Sequence, residues 1–261
     1  MPAGASGILT SGGSAAKLTA MVAARHAAIG DDSARISRLT VYASDQTHSS
    51  AIRAAWIAGI QRSHVRLIPC DDEFRVPVDA LAASIARDRA AGLIPLAIVA
   101  NGGTTNTGAV DPLAELADLA AREAMWLHVD AAYGGFSVLC EQGRRALAGI
   151  ERADSITMDP HKWISMPFEC GCLMARDPRR LTAAFQIFPD YLQLFFPFFR
   201  KRRKKAERRR IAHSALIDSF FQGIAQQYFF YRRFHFLAAD GIRQIGRFDD
   251  LVGHMTGRIF R

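Results

Sequence analysis

The first 193 residues alternate short apolar runs with amphipathic stretches, a pattern typical of an α/β domain. The periodicity predicts helices over residues 14–28, 49–58, 77–90 and 112–123. Apolar runs predict strands over residues 39–42, 65–68, 93–100, 126–129, 155–158 and 171–175. Turn-forming residues, such as Asn101-Gly102-Gly103 and Asp111-Pro112, separate these segments. We therefore expect a mostly parallel sheet flanked by helices.

The composition changes abruptly after residue 193. Residues 1–193 carry 18 basic and 20 acidic side chains, whereas residues 194–261 carry 15 basic and 5 acidic ones. Residues 200–210 alone contribute nine positive charges and one negative charge, and 12 of the 17 phenylalanines follow residue 193. We predict an α/β domain over residues 1–193 and a basic, Phe-rich tail over residues 194–261. A frame change in the gene, or partial disorder of the tail, would account for the shift.

The chain shows no signal for a membrane or for secretion. It has no run of 18 uncharged apolar residues, and its first ten residues lack the basic and apolar regions of a signal peptide. Its four cysteines fit neither a disulfide framework nor a paired zinc site, so no metal site is predicted. We expect a protein of the reducing cytoplasm that does not enter a membrane.

Two polar clusters precede predicted helices. TSGGS (10–14) is a Gly-rich turn whose backbone N–H groups and hydroxyls are suited to a phosphate, although such turns also serve as ordinary helix caps. In YASDQTHSS (42–50), His48 lies at a predicted helix start. Its flat imidazole can stack on an aromatic ring, cap the helix or pack in the core.

Two further clusters follow predicted strands. In HVDAAYGG (128–135), Asp130 ends an apolar strand, where α/β sheets bind ligands; it could hold a protonated ring nitrogen, cap a helix or lie in a surface turn. In DPHKW (159–163), an imidazole and an indole flank Lys162, which makes this amine a candidate for Schiff-base chemistry. Residues 1–193 contain only one other lysine, Lys17, beside 16 arginines, and arginine cannot form an imine.

Taken together and in this order, the motifs resemble the pyridoxal-phosphate-dependent group II amino acid decarboxylases, which include aromatic amino acid and glutamate decarboxylases. The resemblance covers about residues 7–193 and includes ANGGTTNTGAVDP (100–112), PFECGCLMARD (167–177) and AAFQIFPDYLQ (183–193). HVDAAYGG followed by DPHKW is its most specific part. It implies the large domain of fold-type I pyridoxal-phosphate enzymes.

The resemblance also implies which residues hold pyridoxal phosphate. They are Gly13, Ser14, His48, Thr104, Asp130, Ala132, His161 and Lys162. Gly13 and Ser14 would bind the phosphate, with His161 nearby, and His48 would stack over the pyridine ring. Asp130 would pair with the ring nitrogen and keep it protonated, which makes the ring an electron sink.

The implied reaction is decarboxylation of an L-amino acid to the amine. Lys162 would form the internal aldimine, and His48 would act with it over the ring. Tyr191, which follows Lys162 by 29 residues, would protonate the substrate carbon after carbon dioxide leaves. This tyrosine favours simple decarboxylation over the oxidative chemistry of some relatives.

The sequence departs from the family in three places. Ala15-Ala16-Lys17 stands where the family usually shows Glu-Ala-Asn or Glu-Ala-Thr. We expect the chain to lack the N-terminal segment that contributes to the dimer interface and the substrate pocket of the family. The resemblance ends at Gln193, before the family's small C-terminal domain.

Other functions remain open at this stage. The same cofactor could serve an aminotransferase or a lyase, which product analysis would distinguish from a decarboxylase. The chain could also be an inactive fragment whose residues 200–210 bind an anionic surface, although we do not expect a nucleic-acid partner. The family implies an amino acid substrate and a homodimer.

Overall fold

A seven-stranded sheet forms the centre of the fold in the computed structural model, which describes residues 1–186. Its strands are β1 (Ser6–Thr10), β2 (Leu39–Ser44), β3 (Val65–Ile68), β4 (Ile94–Asn101), β5 (Trp126–Asp130), β6 (Ser155–Met158) and β7 (Gly171–Ala175). The helices are α1 (Gly13–Ile29), α2 (Ser49–Ile57), α3 (Val78–Ala90), α4 (Leu113–Arg122), α5 (Glu141–Ala146), α6 (Pro160–Trp163) and α7 (Pro178–Phe185). Short 3₁₀ helices span Ser33–Arg38, Arg62–His64, Gly135–Leu139 and Ile150–Arg152.

The strand order is β1-β7-β6-β5-β4-β2-β3. The pairs β2–β3, β2–β4, β4–β5 and β5–β6 are parallel, whereas β7 runs antiparallel to both of its neighbours. The predicted α/β fold with a mostly parallel sheet is therefore confirmed, and all six predicted strands are present. The strand β1 was not predicted, because its short sequence SGILT is half exposed and shows no clean apolar run.

Two apolar clusters cover the two faces of the sheet. On one face, Met21 of α1 and Ala55 of α2 pack with Val41 and Val99. On the other face, residues of α3 and α4, such as Leu81 and Leu116, pack with Ile98 and Leu127. Every residue of β2 and of β5 is buried, as expected for strands covered on both faces.

The four predicted helices are found within two residues of their predicted ends. The three helices that were not predicted are short, and α6 and α7 each begin with a proline in the first turn, where a missing N–H costs no hydrogen bond. Within residues 1–186, no helix is both long and apolar enough to cross a bilayer. The predicted tail, including residues 200–210, lies outside the described residues.

A buried histidine joins β5 to β6. The two ring nitrogens of His128 lie 2.8 Å from Ser155 Oγ and 3.2 Å from Thr157 Oγ1. The indole Nε1 of Trp126 also donates to Ser155 Oγ, at 2.8 Å. Burial lowers the pKa of His128 to about 4, because a charged imidazolium loses its hydration in the core.

We predict that this histidine makes the fold sensitive to mild acid. The pKa of His128 is lower in the folded chain than in the unfolded chain, so its contribution to stability is present above pH 6.5 and is lost as the pH falls toward 4. The steepest effect of one such group is about 1.4 kcal/mol per pH unit. Urea denaturation between pH 7 and pH 4 should show a shallower decline for His128→Gln than for the wild type. Parallel declines would contradict the prediction.

Candidate active site

The functional residues meet where the parallel strands end. Asn101 ends β4, Asp130 ends β5 and Asp159 directly follows β6, so all three lie at the carboxyl edge of the sheet. A pocket opens at this edge. Its lining residues are Lys17, His48, Asn101, Gly103, Thr104, Thr105, Asp130, Ala132, Tyr133 and Lys162.

Asp130 forms a buried ion pair in this pocket. Its Oδ2 lies 2.8 Å from Lys17 Nζ, and both residues are almost completely buried. Its Oδ1 accepts a longer hydrogen bond from the backbone N–H of Ala132, at 3.3 Å. Lys17 Nζ also donates to Ser50 Oγ, at 2.9 Å, so it connects the end of β5 to α2.

Lys162 forms a second ion pair, with Asp159. Lys162 Nζ lies 3.0 Å from Asp159 Oδ2, and His161 Nε2 lies 3.9 Å from the same oxygen. Asp159 Oδ1 is buried without a hydrogen-bond partner among the described residues. Such an acceptor is unusual in a folded protein and often marks a functional site.

The imidazole and the indole beside Lys162 have partners of their own. His161 Nδ1 lies 2.7 Å from the carbonyl oxygen of Cys170. The indole of Trp163 packs edge-to-face on Tyr133, with 5.7 Å between the ring centroids. The amine of Lys162 itself pairs with the carboxylate of Asp159.

His48 caps α2 and faces the pocket. Its Nδ1 accepts from the backbone N–H of Ser50, at 3.2 Å, and lies 2.7 Å from Ser50 Oγ. Because Nδ1 is an acceptor, the proton of the neutral ring is on Nε2. Burial, together with the positive charge of Lys17, lowers the pKa of His48 and favours this neutral form.

The start of α1 lies against Asp159. A Cβ built on Gly13 would lie 2.9 Å from both carboxylate oxygens of Asp159, which shows how closely the two approach. Among the described residues, no side chain caps α1, and its first turn carries no acidic residue. The backbone N–H groups of this turn are therefore available to an anion.

The loop before α1 fits only because two glycines meet there. Gly12 has a φ of 113°, which favours glycine, and Gly171 of β7 lies directly against it. A Cβ on Gly171 would lie 2.3 Å from the carbonyl carbon of Gly12. Neither backbone segment can move aside without shifting the start of α1.

Asn101 lines the pocket and joins the neighbouring loops. Its Nδ2 donates to Ser44 Oγ at 3.1 Å, to Thr47 Oγ1 at 3.2 Å and to Asp111 Oδ2 at 2.9 Å. Asp111 also accepts from the backbone N–H of Asn101 and of Val76, and burial raises the pKa of its carboxyl. This network fixes the end of β4 beside Asp130.

The structure brings most of the predicted site residues together. Five of them line the pocket: His48, Thr104, Asp130, Ala132 and Lys162. Gly13 and His161 do not line it but contact Asp159, which pairs with Lys162. Ser14 is exposed at the start of α1, and Tyr191 lies outside the described residues.

Two charged residues of the site were missed. Asp159 belongs to the DPHKW motif, in which only His161 and Lys162 were given roles. Lys17 was noted as a departure from the family and was given no role, although it lies one helical turn after Gly13 and so on the same face of α1. Its contact with Asp130 joins distant parts of the chain, and no local pattern shows it.

Comparisons with known proteins agree with this geometry. The model of the pyridoxal-dependent decarboxylase conserved domain matches residues 1–232. The chain is 44% identical to an aromatic-L-amino-acid decarboxylase of Bacillus atrophaeus over 192 residues, which are 74% of this chain and 39% of that protein. It is 43% identical to tryptophan decarboxylase 1 of Oryza sativa subsp. japonica over 193 residues, 72% of this chain and 38% of that protein.

A solved structure gives the same result. The crystal structure of Oryza sativa TDC with PLP and tryptamine has a TM-score of 0.69 and 42% identity to this chain, and the match covers 72% of this chain and 40% of that one. The fold and the site thus define a fold-type I large domain. The chain belongs to the pyridoxal-dependent decarboxylase family.

The match has two limits. The chain spans about 40% of the length of the relatives that it matches. The family model extends past Gln193, where the resemblance was expected to end. The division of the chain at residue 193 stays a prediction.

We predict that Gly171→Ala disturbs the start of α1. The added methyl would overlap the backbone of Gly12, and overpacking of this kind costs about 1–3 kcal/mol. The control is Gly108→Ala, where a Cβ meets open space and only the positive φ is unfavourable. Urea denaturation should show the larger loss of stability for Gly171→Ala, and equal losses would contradict the steric argument.

Proposed function

We propose that this chain supplies the cofactor-binding domain of a pyridoxal-phosphate-dependent enzyme that decarboxylates an aromatic L-amino acid. The observation that carries the proposal is that Asp130 and Lys162 face one pocket. A carboxylate suits a protonated pyridine nitrogen, and a lysine amine suits the covalent attachment of an aldehyde. The names of the similar proteins support an aromatic substrate.

The residues present fit this cofactor. The start of α1, at Gly13 and Ser14, offers backbone N–H groups to the phosphate. Asp130 is the carboxylate for the ring nitrogen, and the neutral imidazole of His48 provides a flat surface for the ring. Bound pyridoxal phosphate would supply an electron sink for the electron pair that remains on the substrate when carbon dioxide leaves.

Lys162 and Asp159 form the proton-handling pair of the site. Lys162 must lose a proton before its amine can act as a nucleophile, and Asp159 Oδ2 is 3.0 Å away. When Lys162 turns toward the cofactor, Asp159 loses its cation. His161, 3.9 Å away, is then the remaining basic side chain beside this carboxylate.

Thr104 and Ala132 shape the wall of the pocket. The hydroxyl of Thr104 is 2.7 Å from that of Thr107 and accepts from the backbone N–H of Ala109, at 3.1 Å, so the loop after β4 is held in place. Ala132 is buried two residues after the end of β5 and lines the pocket together with Asp130. Both residues act by shape and position.

Three further parts of the proposal come from the family. Tyr191 is the proton donor that completes the amine product, and two copies of the complete protein form a dimer. We also propose that the enzyme works in the cytoplasm. All four cysteines are free thiols, which is compatible with a reducing compartment.

We predict that the purified 261-residue chain binds pyridoxal phosphate through Lys162. Titration should produce a visible absorption band that survives dialysis, and Lys162→Ala should not show it. After borohydride reduction, peptide mapping should find the label on Lys162 and not on Lys17, the other lysine of the pocket. A folded chain without the band, or with the label on Lys17, would contradict the proposed attachment.

We also predict the product of the reaction. The loaded chain, given tryptophan, tyrosine or phenylalanine, should release carbon dioxide and the matching amine. Tyr191→Phe should bind the cofactor equally well but form less than about one tenth of the amine, because a proton donor contributes at least tenfold to rate. A keto acid product would indicate transamination, and unchanged amine formation by the variant would remove Tyr191 from the mechanism.

A further inference from the structure

The pocket contains a cation that the proposed chemistry does not use. Lys17 is 4% exposed and lines the same pocket as Asp130 and Lys162. Its ammonium lies 2.8 Å from Asp130 Oδ2 and 2.9 Å from Ser50 Oγ. This carboxylate oxygen belongs to the residue that the proposed function assigns to the cofactor ring.

The ion pair is required by burial. A lysine ammonium removed from water needs a close anion, and a buried carboxylate needs a close cation. The other described contact of the Asp130 carboxylate is a hydrogen bond from the backbone N–H of Ala132. Its length of 3.3 Å is long for a charged acceptor. Lys17 therefore supplies most of the compensation for the charge of Asp130.

We propose that Lys17 competes with the ring nitrogen of pyridoxal phosphate for Asp130. This inference rests on the proposed cofactor binding. A carboxylate already paired with an ammonium attracts a second cation less, and the ammonium also repels a protonated ring. Lys17 is thus a positioning residue that weakens the binding of the cofactor and the hold of Asp130 on the ring proton.

Lys17 also connects the two residues that would contact the ring. Ser50 Oγ accepts from Lys17 Nζ and lies 2.7 Å from His48 Nδ1. A movement of Lys17 away from Asp130 would leave Ser50 as its nearest described acceptor. The position of Lys17 is therefore coupled to the orientation of His48 as well as to the charge of Asp130.

The test uses the 261-residue chain and two ligands, pyridoxal phosphate and its analogue with CH in place of the ring nitrogen. Lys17→Met should lower the Kd for pyridoxal phosphate about tenfold or more, since a charge-assisted hydrogen bond to Asp130 becomes available to the ring. The Kd for the analogue should stay the same or rise. Arg53→Met is the matched control, because it removes a positive charge near His48 without a contact to Asp130. For this variant, the Kd for each of the two ligands should change less than about twofold.

A second measurement uses the chain without cofactor. Removal of Lys17 leaves Asp130 buried without its cation, so Lys17→Met should lower the melting temperature. The double variant Lys17→Met/Asp130→Asn should recover part of this loss, because neither buried charge remains. If Lys17→Met does not fold, Lys17→Gln, which keeps a donor without the charge, takes its place in both measurements.

The outcomes separate this inference from the proposed function. If the wild type binds pyridoxal phosphate and Lys17→Met binds it equally or more weakly, the competition is wrong and the proposed function stands. If Lys17→Met lowers the Kd for both ligands by the same factor, the inference is also overturned, because the effect of Lys17 would then not depend on the ring nitrogen. If no form of the folded chain binds pyridoxal phosphate, the proposed function fails and this inference fails with it.

Discussion

The site depends on the pairing of charges at one edge of the sheet, where three of the four charged side chains are buried. Two lysines and two aspartates meet there as Lys17–Asp130 and Lys162–Asp159. Lys17, Asp130 and Asp159 are buried, and an isolated buried ion costs far more than the fold can offset, whereas the side chain of Lys162 is 36% exposed. Each charged group is therefore held in place by a partner, and any chemistry at the site must exchange one of these partners for a ligand.

The parallel strands make this arrangement possible. Because β4, β5 and β6 run in the same direction, Asn101, Asp130 and Asp159 reach one edge together. The helix α1 packs against this part of the sheet and brings Lys17 to Asp130, and α2 brings His48 and Ser50. Asn101 in the wall of the pocket and His128 between β5 and β6 hold these strands in place through hydrogen bonds to hydroxyls.

Much of this arrangement could be predicted from the sequence, for identifiable reasons. The buried strands β4 and β5 are long apolar runs, and α4 has a clear apolar face, so local patterns are enough to find them. The motifs around Asp130 and Lys162 placed both residues at strand ends. The antiparallel direction of β7 and the contact of Lys17 with Asp130 could not be predicted, because they depend on which distant segments meet. Tyr191 and the tail stay predictions, since they lie outside the described residues.

The contact between Gly12 and Gly171 has a consequence for the order of folding. The strand β1 pairs with β7, and the two lie near opposite ends of the described chain. During synthesis, α1 emerges before β7, so the surface that positions its first turn is made only after β7. The loop closed by this pairing encloses nearly all of the described residues, and its closure entropy must be overcome late. The first turn of α1, although it precedes β7 in the chain, is therefore among the last of the described parts to take its final form.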